Sequence, residues 1–430
     1  MILIKNGHVV CPVTGTDDVM DVLIDGSRII QVEKDIKSGE GTWLADKDVA
    51  VIDAAGLIVA PGLVDTHVHF RDPGFEYKED IETGAAAAAR GGFTTVVCMA
   101  NTKPAVDNLE TLEYIQKKGE QTGIHVIQTA TVTKGMAGEE LVDMDALANA
   151  GAAGFTDDGL PIMNEEVLLK AFEKAKELDL PVSLHEEDPL FIKQPGVNMG
   201  AVSEQLGYGG ASSTAESIMV ARDCAMALHT GATLCIQHIS AKESVDYVRL
   251  AKKQGADVHA EATPHHFTLT EEAVLKYGTY ARMNPPLRTE ADRQAIIDGI
   301  VDGTIDMIVT DHAPHSKEEK DRPMDKAPSG ITGLETSLGL GIKSLVQEGH
   351  ISLMKLMELM STNPAKLYRM IPGSISEDAP ADIVIFGENE EWTVKEEEYA
   401  SKAVNSPFTG WTLPGKVRYT ICGGKIVYWG

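Results

Sequence analysis

Cysteine is scarce in this chain. There are five in 430 residues (Cys11, Cys98, Cys224, Cys235 and Cys422), scattered and without C-x-x-C spacing. That excludes a disulfide framework, and it predicts a reduced, cytoplasmic protein whose cysteines serve as small core residues. No apolar run approaches the roughly 20 residues that span a bilayer. The opening MILIKNGHVV lacks a basic stretch followed by an apolar one, so no signal peptide is expected. Positive charge is short as well: 38 Lys and Arg stand against 65 Asp and Glu, a net charge of −27. A surface that acidic repels nucleic acid and anionic membrane, which excludes both as partners. An anionic small molecule would need a local cationic pocket to offset the global field. Internal repeats, low-complexity tracts and long linkers are also missing.

What is present is an ordinary globular balance, 43% hydrophobic and 24% charged. The length suits one large domain and a smaller one. The first sixty residues read as short strands, with β-branched residues, alternation and Gly/Asp punctuation in ILIKNGHVV, DVLIDGSRIIQVE and AVIDAAGLIVAPG. From about Leu63 short apolar runs alternate with Ala-, Glu- and Lys-rich helical stretches. Strands are expected over 63–68, 94–99, 125–130, 154–158, 181–185, 233–239, 256–262 and 305–311. Helices are expected over 80–90, 109–118, 144–150, 165–177, 216–230, 244–254 and 294–301. Eight strands alternating with helices predict an α/β fold, a (β/α)8 TIM barrel; the competing reading is an open doubly wound sheet. Strand character returns after about Pro372, in ADIVIFG and VRYTICGGKIVYWG. The expected organisation is a catalytic barrel over 61–371 and a small β-sandwich built from 1–60 and 372–430.

The chemistry begins with His67-x-His69 in DTHVHFRDPG. Strand side chains alternate faces, so the two imidazoles point the same way and can share a metal ion. His185 ends PVSLH, His238 ends ATLCIQH and Asp311 ends IDMIVTD. Each falls at the C-terminal end of an expected barrel strand, where barrel enzymes place their active sites. The pair Asp157–Asp158 ends GAAGFTDDG in the same manner. The two carboxylates face opposite sides of that strand, so only one reaches the mouth, and alternation alone does not choose between them. Four imidazoles and two carboxylates suffice for two divalent ions. Arg71 lies one alternation beyond His69, and its guanidinium suits a carboxylate; the plainer reading is a surface ion pair with Asp72 or Glu76. Asn101 and Asn284 read first as turn residues beside prolines. His259, His265 and His266 read as structural, and His312 should face away from Asp311. Glu186, Glu187 and Asp188 either orient His185 or are solvated. The polar SKEEKDRPMDKAPSG after His315 is expected to be a mobile loop over the mouth.

The motifs DTHVHFRDPG, MANTKPAVDN, GFTDDG, RMNPPLR and TDHAPHS, with the tail SPFTGWTLPGKVRYTICGGKIVY, together resemble the class I bacterial dihydroorotases of the amidohydrolase superfamily. The resemblance runs along essentially the whole chain. It implies reversible, zinc-dependent cyclisation of N-carbamoyl-L-aspartate to L-dihydroorotate in pyrimidine biosynthesis. It further implies that His67, His69 and Asp311 hold one Zn2+ and that His185 and His238 hold a second. Asp158 and a hydroxide would bridge the two. Asp311 would act as general base and then acid. His69, Arg71, Asn101 and His315 would contact the substrate, the last three at its free carboxylate. Asn284, Ser329 and Gly330 would contact the ring, with Ser329 smaller than the residue typical of the family there. A homodimer, and association with aspartate transcarbamoylase, come with the same resemblance. Relatives such as hydantoinases and allantoinases bridge their metals with a carboxylated lysine on the fourth strand. GAAGFTDDG has no lysine, which argues against another cyclic ureide hydrolase. A catalytically silent dihydroorotase-like subunit should have lost ligands, and this chain retains the set.

Overall fold

A computed structural model describes residues 1–38 and 42–430. The chain opens with β1 (Ile2–Cys11), β2 (Thr16–Asp25), β3 (Arg28–Glu33), β4 (Ala50–Asp53) and β5 (Ile58–Pro61). The middle holds β6 (Leu63–Val68), β7 (Phe93–Cys98), β8 (His125–Gln128), β9 (Val182–Leu184), β10 (Leu234–Ile236), β11 (Val258–Ala262) and β12 (Met307–Ile308). The end holds β13 (Ile383–Gly387), β14 (Trp392–Thr393), β15 (Thr412–Leu413), β16 (Lys416–Cys422) and β17 (Lys425–Trp429).

The two chain ends build one sheet. Its order is β17-β16-β13-β5-β1-β2-β3, with β4 also paired to β1. The expectation that N- and C-terminal strands associate therefore holds, through the antiparallel β13–β5 pair. Ile4, Val22, Ile24, Val59, Ile383, Ile385 and Ile421 form the core of this sheet. Gly62 carries the chain from the terminal sheet into β6. A Cβ there would sit 2.2 Å from Thr94 Oγ1, so only glycine allows β6 and β7 to approach so closely.

The middle strands are parallel throughout. β6 pairs with β7 and β7 with β8. Ala130 bridges Phe155, and Phe155 bridges Val182 of β9. β9, β10, β11 and β12 follow in order, and His312 bridges back to Val68. The pairings thus return to the strand on which they began. The fourth segment, expected as a strand over 154–158, is reduced to the single bridging residue Phe155. Its sequence GAAGFTDDG offers one large apolar residue and no β-branched run, and its aspartates are drawn into other bonds.

Helices run between these strands, among them Ile81–Arg90, Leu109–Gly119, Glu165–Leu178, Ser213–Thr230, Lys242–Lys253 and Glu290–Asp302. The first is fixed by a capping box between Asp80 and Thr83, the last by one between Thr289 and Asp292. Helical chain over 337–346 and 353–367, which the sequence reading left unassigned, completes the ring. The main core lies between strands and helices and includes Phe93, Phe155, Phe172 and Phe267. Among the described residues, no helix is long and apolar enough to cross a membrane.

Candidate active site

Of the strand-end residues named above, His67, His69, Asp158, His185, His238 and Asp311 converge at one mouth. His67 lies on β6 and His69 one residue beyond it; His185, His238 and Asp311 follow the ends of β9, β10 and β12. His67 is fully buried, and His69, Asp158, His185, His238 and Asp311 are each less than a tenth exposed.

Asp158 stands at the centre. Its Oδ1 is 3.3 Å from His67 Nε2, 3.8 Å from His238 Nε2 and 3.9 Å from His185 Nδ1. Its Oδ2 is 3.5 Å from His69 Nε2. Two sets of three, His67–His69–Asp158 and Asp158–His185–His238, each bring their ligand atoms within 4.8 Å of one another. Asp158 belongs to both. Asp311 Oδ1 adds to the first set, 3.1 Å from His69 Nε2 and 3.7 Å from His67 Nε2.

Asp157 turns the other way. Its carboxylate accepts from the Val132 and Thr133 amides and from the Thr133 hydroxyl, which ties the segment to the loop after β8. Burial pushes its pKa up to about 6 against those bonds. The choice that alternation left open is made by these neighbours.

The cluster fits metal ions on its own evidence. Among the described residues, His67 Nε2 and Asp158 Oδ1 are buried without a hydrogen-bond partner. His185 Nδ1 and His238 Nε2 face each other at 3.0 Å, close to the roughly 3.4 Å between two nitrogens on one tetrahedral ion. Burial, with the neighbouring imidazoles His185 and His67, holds His238 well below the usual histidine range, which suits a neutral ligand. Burial opposes the charged form of His67, but Asp158 and Glu261 outweigh it and raise its pKa well above the usual value. Despite its burial, Asp158 is held well below the usual carboxylate range by the surrounding imidazoles.

A supporting ring of partners went largely unread in the sequence. Glu261 on β11 is fully buried and takes the His67 Nδ1–H at 3.0 Å, leaving Nε2 free. Glu187 meets His185 Nε2 at 3.0 Å. Asp65 accepts from the His67 and Thr310 amides. Asn101 Oδ1 accepts from His69 Nδ1 at 2.9 Å, while its Nδ2 donates to Asp158 Oδ2 at 3.2 Å. Such bonds fix which ring nitrogen faces a metal. The available signal for Glu261 was an acid inside an otherwise apolar strand, VHAEA.

The cavity above the cluster measures about 320 Å³ and is lined by His69, Arg71, Asn101, Asn284, His315, Ser329 and Gly330, together with metal-site residues. Every expected substrate-contact residue is therefore at its wall. Arg282 also lines it and was not singled out in the sequence. The alternation argument for Arg71 ends with β6 at Val68, however; Arg71 reaches the cavity through a left-handed turn, φ 62°. His238 and Asp311 share that strained conformation, φ 31° and 47°, as residues at functional sites often do. The surface ion pair is not what holds Arg71: Asp72 pairs with Lys118 and Glu76 caps Gly74 N. The guanidinium instead donates to Pro314 O at 3.3 Å.

His315 Nε2–H donates to Ser329 O at 2.8 Å, and its Nδ1 accepts from Lys78 Nζ at 3.2 Å. Burial and the cations Arg71, Lys78 and Lys320 keep it neutral. Ser329 Oγ donates to Asn284 Oδ1. Gly330 donates its N–H to Arg282 O, and a Cβ on Gly330 would meet Ala313 Cβ at 2.7 Å. The stretch after His315 is anchored by the helix Lys317–Lys320 and by buried Lys320, whose Nζ donates to Pro328 O and Gly330 O at 3.0 Å each. Three further histidines are held by other partners: His259 pairs with Asp306, His266 with Thr263 and Pro285, and His312 turns to Glu79 and Gly333.

The fold matches solved cyclic-amide hydrolases along its whole length. The L-hydantoinase (dihydropyrimidinase) of Arthrobacter aurescens superposes with a TM-score of 0.86 at 24% identity, covering 99% of this chain and 95% of that one. A D-hydantoinase of Thermus sp. gives 0.85 at 23% identity, covering 100% and 96%. At those identities the likeness defines the fold alone. Sequence narrows it. A family model described as dihydro-orotase-like matches residues 56–244. The dihydroorotase of Clostridioides difficile (strain 630) is 60% identical over 428 residues, covering all of both chains, and that of Clostridium acetobutylicum is 53% identical over 428 residues, covering all of this chain and 99% of that one. The chain belongs to the dihydroorotase family.

Proposed function

We propose that this protein is a dihydroorotase that interconverts N-carbamoyl-L-aspartate and L-dihydroorotate at a two-zinc site. The observation that carries the reading is one carboxylate, Asp158, shared by two histidine pairs, with Arg71 at the wall of the same cavity. Full-length identity to curated dihydroorotases supports the substrate. In this reading residues 61–371 form a (β/α)8 barrel, and 1–60 with 372–430 form the β-sandwich beside it.

His67, His69 and Asp311 would hold one ion, and His185 and His238 the other, with Asp158 between them. Zinc bound there would supply an acidified water and polarise the ring carbonyl. The protein's own groups do the rest. Arg71 receives the substrate carboxylate with a paired N–H fork, offsetting the acidic surface. Asn101, through His69 and Asp158, holds ligand and bridge in register. His315, by gripping Ser329 O, sets the wall that meets the ring beside Asn284 and Gly330. Asp311 takes the proton from the attacking water and delivers it to the leaving ring nitrogen; cyclisation runs the same path backwards.

The aspartate bridge separates this chain from a lysine-bridged ureide hydrolase, and the retained ligands separate it from a silent subunit. Five free, buried cysteines accord with a reducing, cytoplasmic setting. The homodimer and the association with aspartate transcarbamoylase belong to the same reading, and light scattering of the protein alone and mixed with that enzyme checks both. For the chemistry, Asp311→Ala should lower dihydroorotate hydrolysis by at least about 100-fold, while elemental analysis still finds zinc. A variant that keeps its activity would remove Asp311 from proton transfer.

A further inference from the structure

At the opposite end of the parallel ring from the mouth, three side chains of metal-ligand type meet. His125 opens β8, Asp382 immediately precedes β13, and Cys422 closes β16. One ligand atom from each lies within 4.8 Å of the other two. His125 Nε2 is 3.1 Å from Asp382 Oδ2. The other oxygen, Asp382 Oδ1, accepts the Gly423 amide at 2.7 Å, which fixes the carboxylate. Cys422 is 5% exposed, with Sγ 3.6 Å from Thr94 O. The group opens into a hollow of about 680 Å³ lined also by Thr95, Ile127 and Met370.

We propose that His125, Asp382 and Cys422 form a second kind of metal site, one that takes a single zinc-like divalent ion and clamps the ring to the terminal sheet. An ordinary ion pair of His125 with Asp382 would need no thiol. Among the described residues, Cys422 is the one cysteine in a cluster of metal-ligand side chains. A thiolate, an imidazole and a carboxylate make a borderline-soft donor set suited to zinc, and the half-exposed His125 leaves room for water as a fourth ligand. The amide bond to Asp382 is the outer support that metal carboxylates commonly have. The ligands are far apart in sequence, 257 residues between His125 and Asp382. An ion held by all three would therefore tie the middle of the chain to its end, where cross-linking stabilises most.

Cobalt(II) loading of the full chain reads this site alone, because the mouth offers nitrogen and oxygen ligands and no sulfur. With the mouth already zinc-loaded, the expected result is a thiolate-to-cobalt charge-transfer band that saturates at one further equivalent, absent in Cys422→Ser and in His125→Ala. Zinc should raise the melting temperature of the wild type but not through this site in His125→Ala, with dihydroorotate hydrolysis retained in that variant. His125 is half exposed, so its replacement keeps the test meaningful should Cys422→Ser fail to fold. No band at saturating cobalt overturns the proposal. So does a band that persists in both His125→Ala and Asp382→Asn, which would mark a lone thiol.

Discussion

At the scale of single residues, the adjacent aspartates Asp157 and Asp158 give the sharpest contrast. Asp158→Asn removes the shared charge from the centre of four imidazoles and should abolish both metal binding and activity. Asp157→Asn should keep metal and most activity while lowering stability by about 1–3 kcal/mol, since its bonds are to Val132 and Thr133. Elemental analysis and urea unfolding of the two variants check this directly. Lys320 gives a second test. Burial, reinforced by Arg282, lowers its pKa from 10.5 to about 7. The unfolded chain therefore binds more protons between those values, so this group makes stability rise with pH from about 7 to about 10.5 and fall as pH drops back through that window. Lys320→Met should flatten that part of the unfolding profile. It should also raise KM, because the carbonyls of Pro328 and Gly330 lose their donor at the cavity wall. The metal candidates were legible in the sequence because ligand chemistry needs rare residue types at strand ends. Lys320 was not, because a lysine in a polar stretch looks solvated until the same stretch folds back over it at Pro328 and Gly330.

At the scale of elements, β6 and β11 act together. Glu261 of β11 holds the ring of His67 on β6, 194 residues away in sequence. Glu261→Gln leaves a weaker, uncharged acceptor and should cost about 10- to 100-fold in metal affinity or activity with little change in fold. Metal titration against a chelating dye measures the loss. Alternation placed His67 and His69 on one side, since His67 lies on β6 and His69 directly follows its end. It failed beyond Val68, where the chain leaves the strand and Arg71 turns left-handed. It also overdrew the fourth strand, because hydrogen bonds rather than a ladder position its aspartates: the loop after β8 holds Asp157, and Thr156 and Asn101 hold Asp158. Glu187 was among the residues named as able to orient His185, but the partner of His67 was hidden for a different reason. Glu261 reads as an anomaly in an apolar strand, and only the parallel pairing of the ring shows what it faces.

At the scale of the whole molecule, the chain ends are interleaved. β13 pairs with β5, and β16 and β17 extend the same sheet. Removing residues 416–430 should strip the sheet edge beside β13 and expose Ile383 and Ile385, yielding insoluble protein rather than a free catalytic ring; solubility on expression checks it. The strand-rich ends and the strand–helix alternation between them were readable from periodicity. Periodicity favoured a closed barrel over an open sheet, but it gave no sign that the return to β6 runs through isolated bridges at Phe155 and His312. The central claim joins all three scales: a shared aspartate, the strands that present its histidines, and a cavity with Arg71 at its wall. Its most direct test is the opening of L-dihydroorotate by the purified protein, with and without a chelator. The account predicts opening that stops on chelation and returns with zinc at about two ions per chain. Zinc-loaded protein that leaves dihydroorotate intact while opening hydantoin or allantoin would contradict it.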